Sequence, residues 1–187
     1  MRAAPAVALV CGAACATLAA RDAAAFEHQH HLGLEGGVAM ISIADKPTWS
    51  VGGGGGVHYA YGLNDAFNLM VEGAFCPVAL EEQAGGSIKN NRATMVENLG
   101  VGVSWVLDVT RWVPYFGVLA TTMMLHGGTV DGVRFAGGAT VAGGLDYMVT
   151  RNVGVGFAFR WHLPLTDMND YPTYLQFFLR AEYVWGF

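Results

Sequence analysis

The sequence is poor in three things, and each shortage excludes a class of protein. Cysteine occurs three times in 187 residues, and Cys11 and Cys15 lie in an N-terminal stretch that reads as a leader. Only Cys76 remains beyond it, so no intramolecular disulfide can form, even though an exported compartment would permit one. Basic clusters are missing as well. Ten Lys and Arg stand against fifteen Asp and Glu with no basic stripe, which argues against a nucleic-acid partner. Long apolar runs are absent after the N-terminus although 53% of residues are hydrophobic and the mean hydropathy is +0.35. No segment there approaches the ~20 apolar residues that a spanning helix needs.

What is present instead is glycine, 26 residues of it, too much for a helical bundle. Apolar content that is high but never continuous is the pattern of strands with one face in lipid. The N-terminus fits export. Met1 and Arg2 form a basic start, Ala3 to Ala20 is an apolar run, and Ala23, Ala24 and Ala25 before Phe26 make a cleavage site. Together they predict a signal peptide over residues 1–25 and one mature domain over 26–187.

Period-two alternation recurs along that domain. In "SVGGGGGVHYAYGLND", Trp49, Val51, Val57, Tyr59 and Tyr61 share one parity, and Ser50, Gly52, Gly54, Gly56, His58, Ala60 and Gly62 the other. The five glycines thus sit inside a strand. A phosphate loop would need a following helix and a Lys or acidic partner, and neither is there. Phe67, Leu69, Val71 and Phe75 alternate with Asn68, Glu72 and Ala74. Leu99, Val101, Val103, Trp105 and Leu107 alternate with Asn98, Gly100, Gly102 and Ser104. Val153 to Trp161 alternates with Gly154, Gly156, Ala158, Arg160 and His162. Leu32 to Ile43 and Phe135 to Val149 fit less cleanly. In Val113 to Leu125 both parities are apolar, and the faces cannot be assigned.

The last segment places Leu175, Phe177, Leu179, Ala181, Tyr183, Trp185 and Phe187 on one face. Connections alternate in length: Leu63 to Asp65, Asp108 to Arg111 and Thr150 to Asn152 are tight, whereas Ala44 to Thr48, Pro77 to Arg92, His126 to Gly132 and Pro164 to Thr173 are longer or more polar. Over its mature length the sequence resembles the small eight-stranded outer-membrane barrels of the outer-membrane protein A and X type. Within that class, "LDVTRWVPYFGV" and "RAEYVWGF" resemble the uncharacterised outer-membrane β-barrel domain proteins. The resemblance implies an all-β, eight-stranded antiparallel up-and-down transmembrane barrel in the outer membrane of a Gram-negative bacterium. It also implies that Tyr183, Trp185 and Phe187 form a C-terminal signal read by the barrel-assembly machinery. It implies a monomer among outer-membrane lipids and lipopolysaccharide, and is weak for function because the family is defined by architecture.

An eight-stranded barrel has a bore only wide enough for side chains, so inward glycines are expected opposite bulky groups and where a small sheet coils sharply. Inward charges are the leading candidates for a site. Counted from the short turns, Glu72, Arg160 and Arg180 lie about seven residues up their strands, and Glu35, Asp146 and Glu182 about three to five. Opposite charges at one level of a dry lumen should pair, since an isolated ion is costly there. They are expected to form a structural polar plug, with a proton or solute path as the alternative. His162 is expected at the outer end of its strand, as a hydrogen-bonding histidine of the rim or the lumen. Outer-membrane lipid A deacylases use a His close to a Ser, but no Ser follows His162, so no catalytic residue is assigned. "EHQHH", Glu27 to His31, carries potential metal ligands on an N-terminus expected to fray, and no metal site or cofactor is assigned. Cys76 reads as a small filler. The functional expectation is a structural or surface-interaction role through the outer loops. A narrow channel or carrier for small apolar solutes, or a lipid-modifying enzyme, stands as the alternative.

Overall fold

The computed structural model describes residues 28–44, 48–79, 92–107 and 110–186. The expected signal peptide over residues 1–25, Glu27, most of the Pro77 to Arg92 loop and Phe187 lie outside the described residues. Eight strands follow in chain order: β1 His30–Ile43, β2 Thr48–Gly62, β3 Phe67–Pro77, β4 Met95–Val106, β5 Trp112–His126, β6 Val133–Met148, β7 Val153–Leu163 and β8 Tyr174–Trp185. Each pairs antiparallel with its neighbours, and β1 closes on β8. The result is an all-β, eight-stranded up-and-down barrel. No helix among the described residues is long and apolar enough to cross a membrane. The strands run 11 to 16 residues, sufficient for tilted transmembrane strands, which need about 9–11.

The alternating faces are visible in burial. Leu34, Leu99, Phe135 and Leu179 point outward and are among the most exposed apolar residues, as a lipid-facing surface requires. Val113 to Leu125, ambiguous in sequence, is settled by pairing with β4 and β6. Val113, Tyr115, Leu119, Thr121, Met123 and Leu125 face the lumen, and Trp112, Phe116 and Val118 face outward. The turn after β2 is fixed by Asn64, whose Oδ1 accepts from the backbone N–H groups of Ala66 and Phe67 at 2.9 Å. At the same end an outer aromatic cluster forms: His30 stacks on Trp185 with centroids 5.3 Å apart, and its Nδ1 lies 2.7 Å from the Tyr59 hydroxyl. This belongs to the aromatic girdle that barrels place at the membrane interface.

The glycine run of β2 has a more local cause than a bulky group across the bore. A Cβ on inward Gly54 would run into the Phe75 carbonyl, the Cys76 sulfur and the Cys76 Cα on adjacent β3. Gly52 and Gly56 meet the β3 backbone in the same way. These glycines let two neighbouring backbones approach where the sheet coils. Gly53 and Gly55 point the other way, so the outer face of β2 is not wholly aliphatic and aromatic. A Cβ on Gly53 would meet only the Gly37 carbonyl, at 3.5 Å. Gly54→Ala should therefore lower stability by about 1–3 kcal/mol through overpacking, while Gly53→Ala should stay within about 0.5 kcal/mol of the parent. Urea unfolding of protein refolded into lipid vesicles measures both, and equal losses would refute the distinction.

Candidate functional site: the filled lumen

Three layers of side chains fill the bore. At the end where the long connections lie, Val78, Ala93, Val130 and Tyr171 are buried above Ile41, Ile43, Val96 and Leu125. The Tyr171 hydroxyl accepts from the Ala93 N–H at 3.1 Å, and burial pushes the phenol's pKa up, so it stays a neutral hydroxyl in the cover. Arg134, at the start of β6, donates to Asp170 at 2.8 Å and Asp167 at 2.7 Å, tying the Pro164 to Thr173 connection to the barrel wall.

Beneath that cover is a neutral hydrogen-bonded layer. His162 is completely buried, with Nδ1 2.6 Å from the Thr140 hydroxyl and Nε2 3.1 Å from Gln176 Oε1. Thr140 in turn lies 2.6 Å from Thr121. The Gln176 amide nitrogen lies 2.9 Å from Asn98 Oδ1 and 3.0 Å from the Tyr174 hydroxyl. It also lies 3.6 Å from the sulfur of Cys76, which is buried. His162 is thus a lumen residue with both nitrogens occupied, and no Ser stands among these partners. A surface nucleophile-and-base pair is not built here.

The third layer is ionic and lies toward the short turns. Arg160 donates through Nε to Glu72 and through Nη2 to Glu35, the latter at 2.8 Å. Arg180 Nε lies 2.9 Å from Asp146 Oδ1, and Nη2 lies 3.1 Å from Glu182 Oε2. All six charged side chains lie in the lumen. They do not divide by level along the strands: each guanidinium gathers two carboxylates, and Glu72 pairs with Arg160 and not with Arg180. The closed register explains this. Glu35 of β1 stands beside Arg180 of β8, and the stagger between strands carries Arg160 of β7 to the height of Glu72. Tyr115 packs its ring 4.6 Å beneath the Arg180 guanidinium, a cation–π contact in a site shielded from water.

Sequence reasoning missed two members of this layer. His58, on the inward parity of β2, has Nδ1 3.5 Å from Glu35 and Nε2 3.5 Å from Glu182. His31 Nδ1 lies 3.5 Å from the same Glu182 oxygen. The sequence offered only the inward parity of His58; the structure adds that Gly33 is its β1 partner and that a Cβ there would collide with the imidazole. The N-terminal histidines also divide by face: Gln29 and His31 are buried in the lumen while His30 points outward. The chain is thus in place from His28 onward. Among the described residues no group of His, Cys, Asp or Glu could hold a metal ion.

Arg160 is the hub of one of the two charge clusters, so its loss strands two buried carboxylates. Arg160→Met should cost about 3–5 kcal/mol, whereas Asp167→Asn, removing half of a partly solvated pair, should cost at most about 1 kcal/mol. Equilibrium unfolding of the two variants in vesicles checks the contrast, and similar costs would show that the buried network does not carry stability.

The fold has clear relatives. Neisserial surface protein A superposes with a TM-score of 0.62 at 14% identity, covering 82% of this chain and 96% of that one. The attachment invasion locus protein Ail of Yersinia pestis gives 0.60 at 13%, covering 85% and 99%. OprG of Pseudomonas aeruginosa gives 0.56 at 10%, covering 87% and 99%. No curated protein matches the sequence. The family model described as the outer membrane protein beta-barrel domain matches residues 8–178. With its closed eight-stranded ladder, outward apolar face and filled polar bore, the chain belongs to the outer membrane protein β-barrel domain family and resides in the cell outer membrane.

Proposed function

We propose that this protein is a closed outer-membrane barrel whose role is structural or interactive through its outer loops, the lumen being sealed by a polar plug. The observation that carries this reading is the filling of the bore over its whole height. An apolar cover, a neutral hydrogen-bonded layer and a charged layer succeed one another, and the cavity within the charged layer measures only about 30 Å³. Small solutes have no continuous path through such a stack. The burial of His162 among Thr140, Gln176 and Tyr174 likewise supports a packing role over lipid-modifying chemistry.

The loops narrow the class of partner. The four long connections contain six acidic residues, Asp45, Glu81, Glu82, Asp131, Asp167 and Asp170, against Lys46, Lys89 and Arg92. The Yersinia pestis barrel also has a structure with sucrose octasulfate, a heparin analogue. The acidic balance of these loops disfavours such a polyanion and favours a neutral or basic protein surface. Lipopolysaccharide is then the surrounding lipid and not the loop ligand, and the barrel works as a monomer.

Two experiments test the reading. In planar bilayers at neutral pH the purified protein should show no steady single-channel steps; large sustained conductance would reject the plug and favour the channel. If the assembly machinery reads Tyr183, Trp185 and Phe187, deleting Phe187 should reduce the folded, heat-modifiable fraction in cells several-fold while leaving refolding in detergent intact. Equal yields in cells would show that this signal is unused.

A further inference from the structure

The ionic layer does not balance by its permanent charges. Four carboxyl groups, Glu35, Glu72, Asp146 and Glu182, face two guanidiniums, Arg160 and Arg180, and every one of the six is at least nine-tenths buried. Two negative charges are left in excess in a bore walled by protein and lipid, where uncompensated charge is among the costliest things a fold can hold. The geometry around His58 shows where the compensation sits. Its two ring nitrogens each lie 3.5 Å from a carboxylate oxygen, Glu35 on one side and Glu182 on the other; this is ion-pair distance, and neither nitrogen has a hydrogen-bond partner among the described residues. A neutral imidazole has a donor on one nitrogen and a lone pair on the other, so it would turn a lone pair toward an anion; an imidazolium donates from both. His162 makes the contrast, since its nitrogens meet a hydroxyl and an amide, partners that suit a neutral ring.

We propose that the lumen of this barrel is a two-proton binding site, with His58 held as an imidazolium bridging Glu35 and Glu182, and His31 carrying the second proton against Glu182. The inference rests on the closed-plug reading of the bore. The groups packed around His58 come from six strands: Glu35 and His31 of β1, Glu72 of β3, Tyr115 of β5, Asp146 of β6, Arg160 of β7, and Arg180 and Glu182 of β8. β4 adds only uncharged side chains. The cavity of about 30 Å³ adjoins both histidines, Asp146, Arg180 and Glu182, space for about two water molecules. Asn68 Oδ1 and the Tyr115 hydroxyl line the same space, are buried, and have no protein hydrogen-bond partner among the described residues. They supply polar contacts for water that can carry protons in and out. Among the described residues no group of His, Cys, Asp and Glu is arranged to hold a metal ion, and protons on the two histidines are the compensating charge this geometry offers.

The sign of the pH dependence follows. With both protons bound the layer is balanced, so this contribution to stability is present at mildly acidic pH and is lost as the histidines give up their protons. Loss of both leaves two buried negative charges that draw water and cations into the bore.

Nitrogen-15 spectra of histidine-labelled protein in vesicles at about pH 6 test the site directly. Both ring nitrogens of His58 should resonate as protonated, with His58→Gln and His31→Gln assigning the signals. A neutral-tautomer signal for His58, with the protons residing on carboxyl groups, would overturn the proposal. Unfolding provides a second readout: the wild-type urea midpoint should fall between about pH 6 and about pH 9, and the fall should be at least halved in His31→Gln, which keeps His58 as a structural bridge. A wild-type midpoint that stays flat over that range would also overturn it. Conductance recorded alongside separates the two readings. Large steps already at pH 6 would defeat the plug itself, whereas a silent barrel with a neutral His58 would defeat only the proton site.

Discussion

Everything in this structure depends on closing the hydrogen-bond ladder between β1 and β8. In hydrocarbon no water is available to an unpaired N–H or carbonyl, so a sheet can cross only if it has no edge. The register from His30 opposite Trp185 to Ile41 opposite Tyr174 supplies that closure, and it fixes the circumference at eight strands. A ring so small must coil tightly. The inward glycines of β2 answer that demand by letting the β3 backbone come into the space a Cβ would occupy.

Closure also dictates what the lumen can contain. Eight strands enclose room for side chains and little more, so each inward residue meets others from several strands. Polar groups placed there have no bulk water, and their partners must be protein. The middle layer meets this with neutral hydrogen bonds centred on His162 and Gln176. The lower layer meets it with charge, two arginines each holding a pair of carboxylates, with histidines filling the gaps. The two solutions differ in consequence: neutral bonds are indifferent to pH, while a layer short of permanent positive charge is tied to proton occupancy.

The lipid face and the mouth obey different rules. Outside, the solvent is acyl chain, so Leu, Val and Phe suffice and no specific partner is needed, apart from interfacial aromatics such as Trp185. At the mouth, water returns, and the salt links of Arg134 to Asp167 and Asp170 can hold a connection in place at modest energy. The long connections are therefore where variable chemistry can be carried without disturbing the barrel.

The sequence by itself determined the architecture and the face of most strands, because alternation has period two and the two sides of the wall meet different solvents. Trp49 against Ser50, or Phe177 against Arg180, could be assigned without neighbours. It could not assign Val113 to Leu125, where both faces are apolar: lipid accepts Phe116 and Val118, and the apolar part of the lumen accepts Leu119 and Met123 equally well. Only pairing with β4 and β6 decided that strand. Sequence placed Glu35, Glu72, Asp146, Arg160, Arg180 and Glu182 on inward parities, but their height above the turns did not say who pairs with whom. Strand stagger in the closed ring set that, bringing Arg160 to Glu72 and Glu35, and Arg180 to Asp146 and Glu182. The same stagger brought His58 between two carboxylates that lie 23 residues before it and 124 after it in the chain. Such a meeting is a property of barrel closure, and no local pattern encodes it.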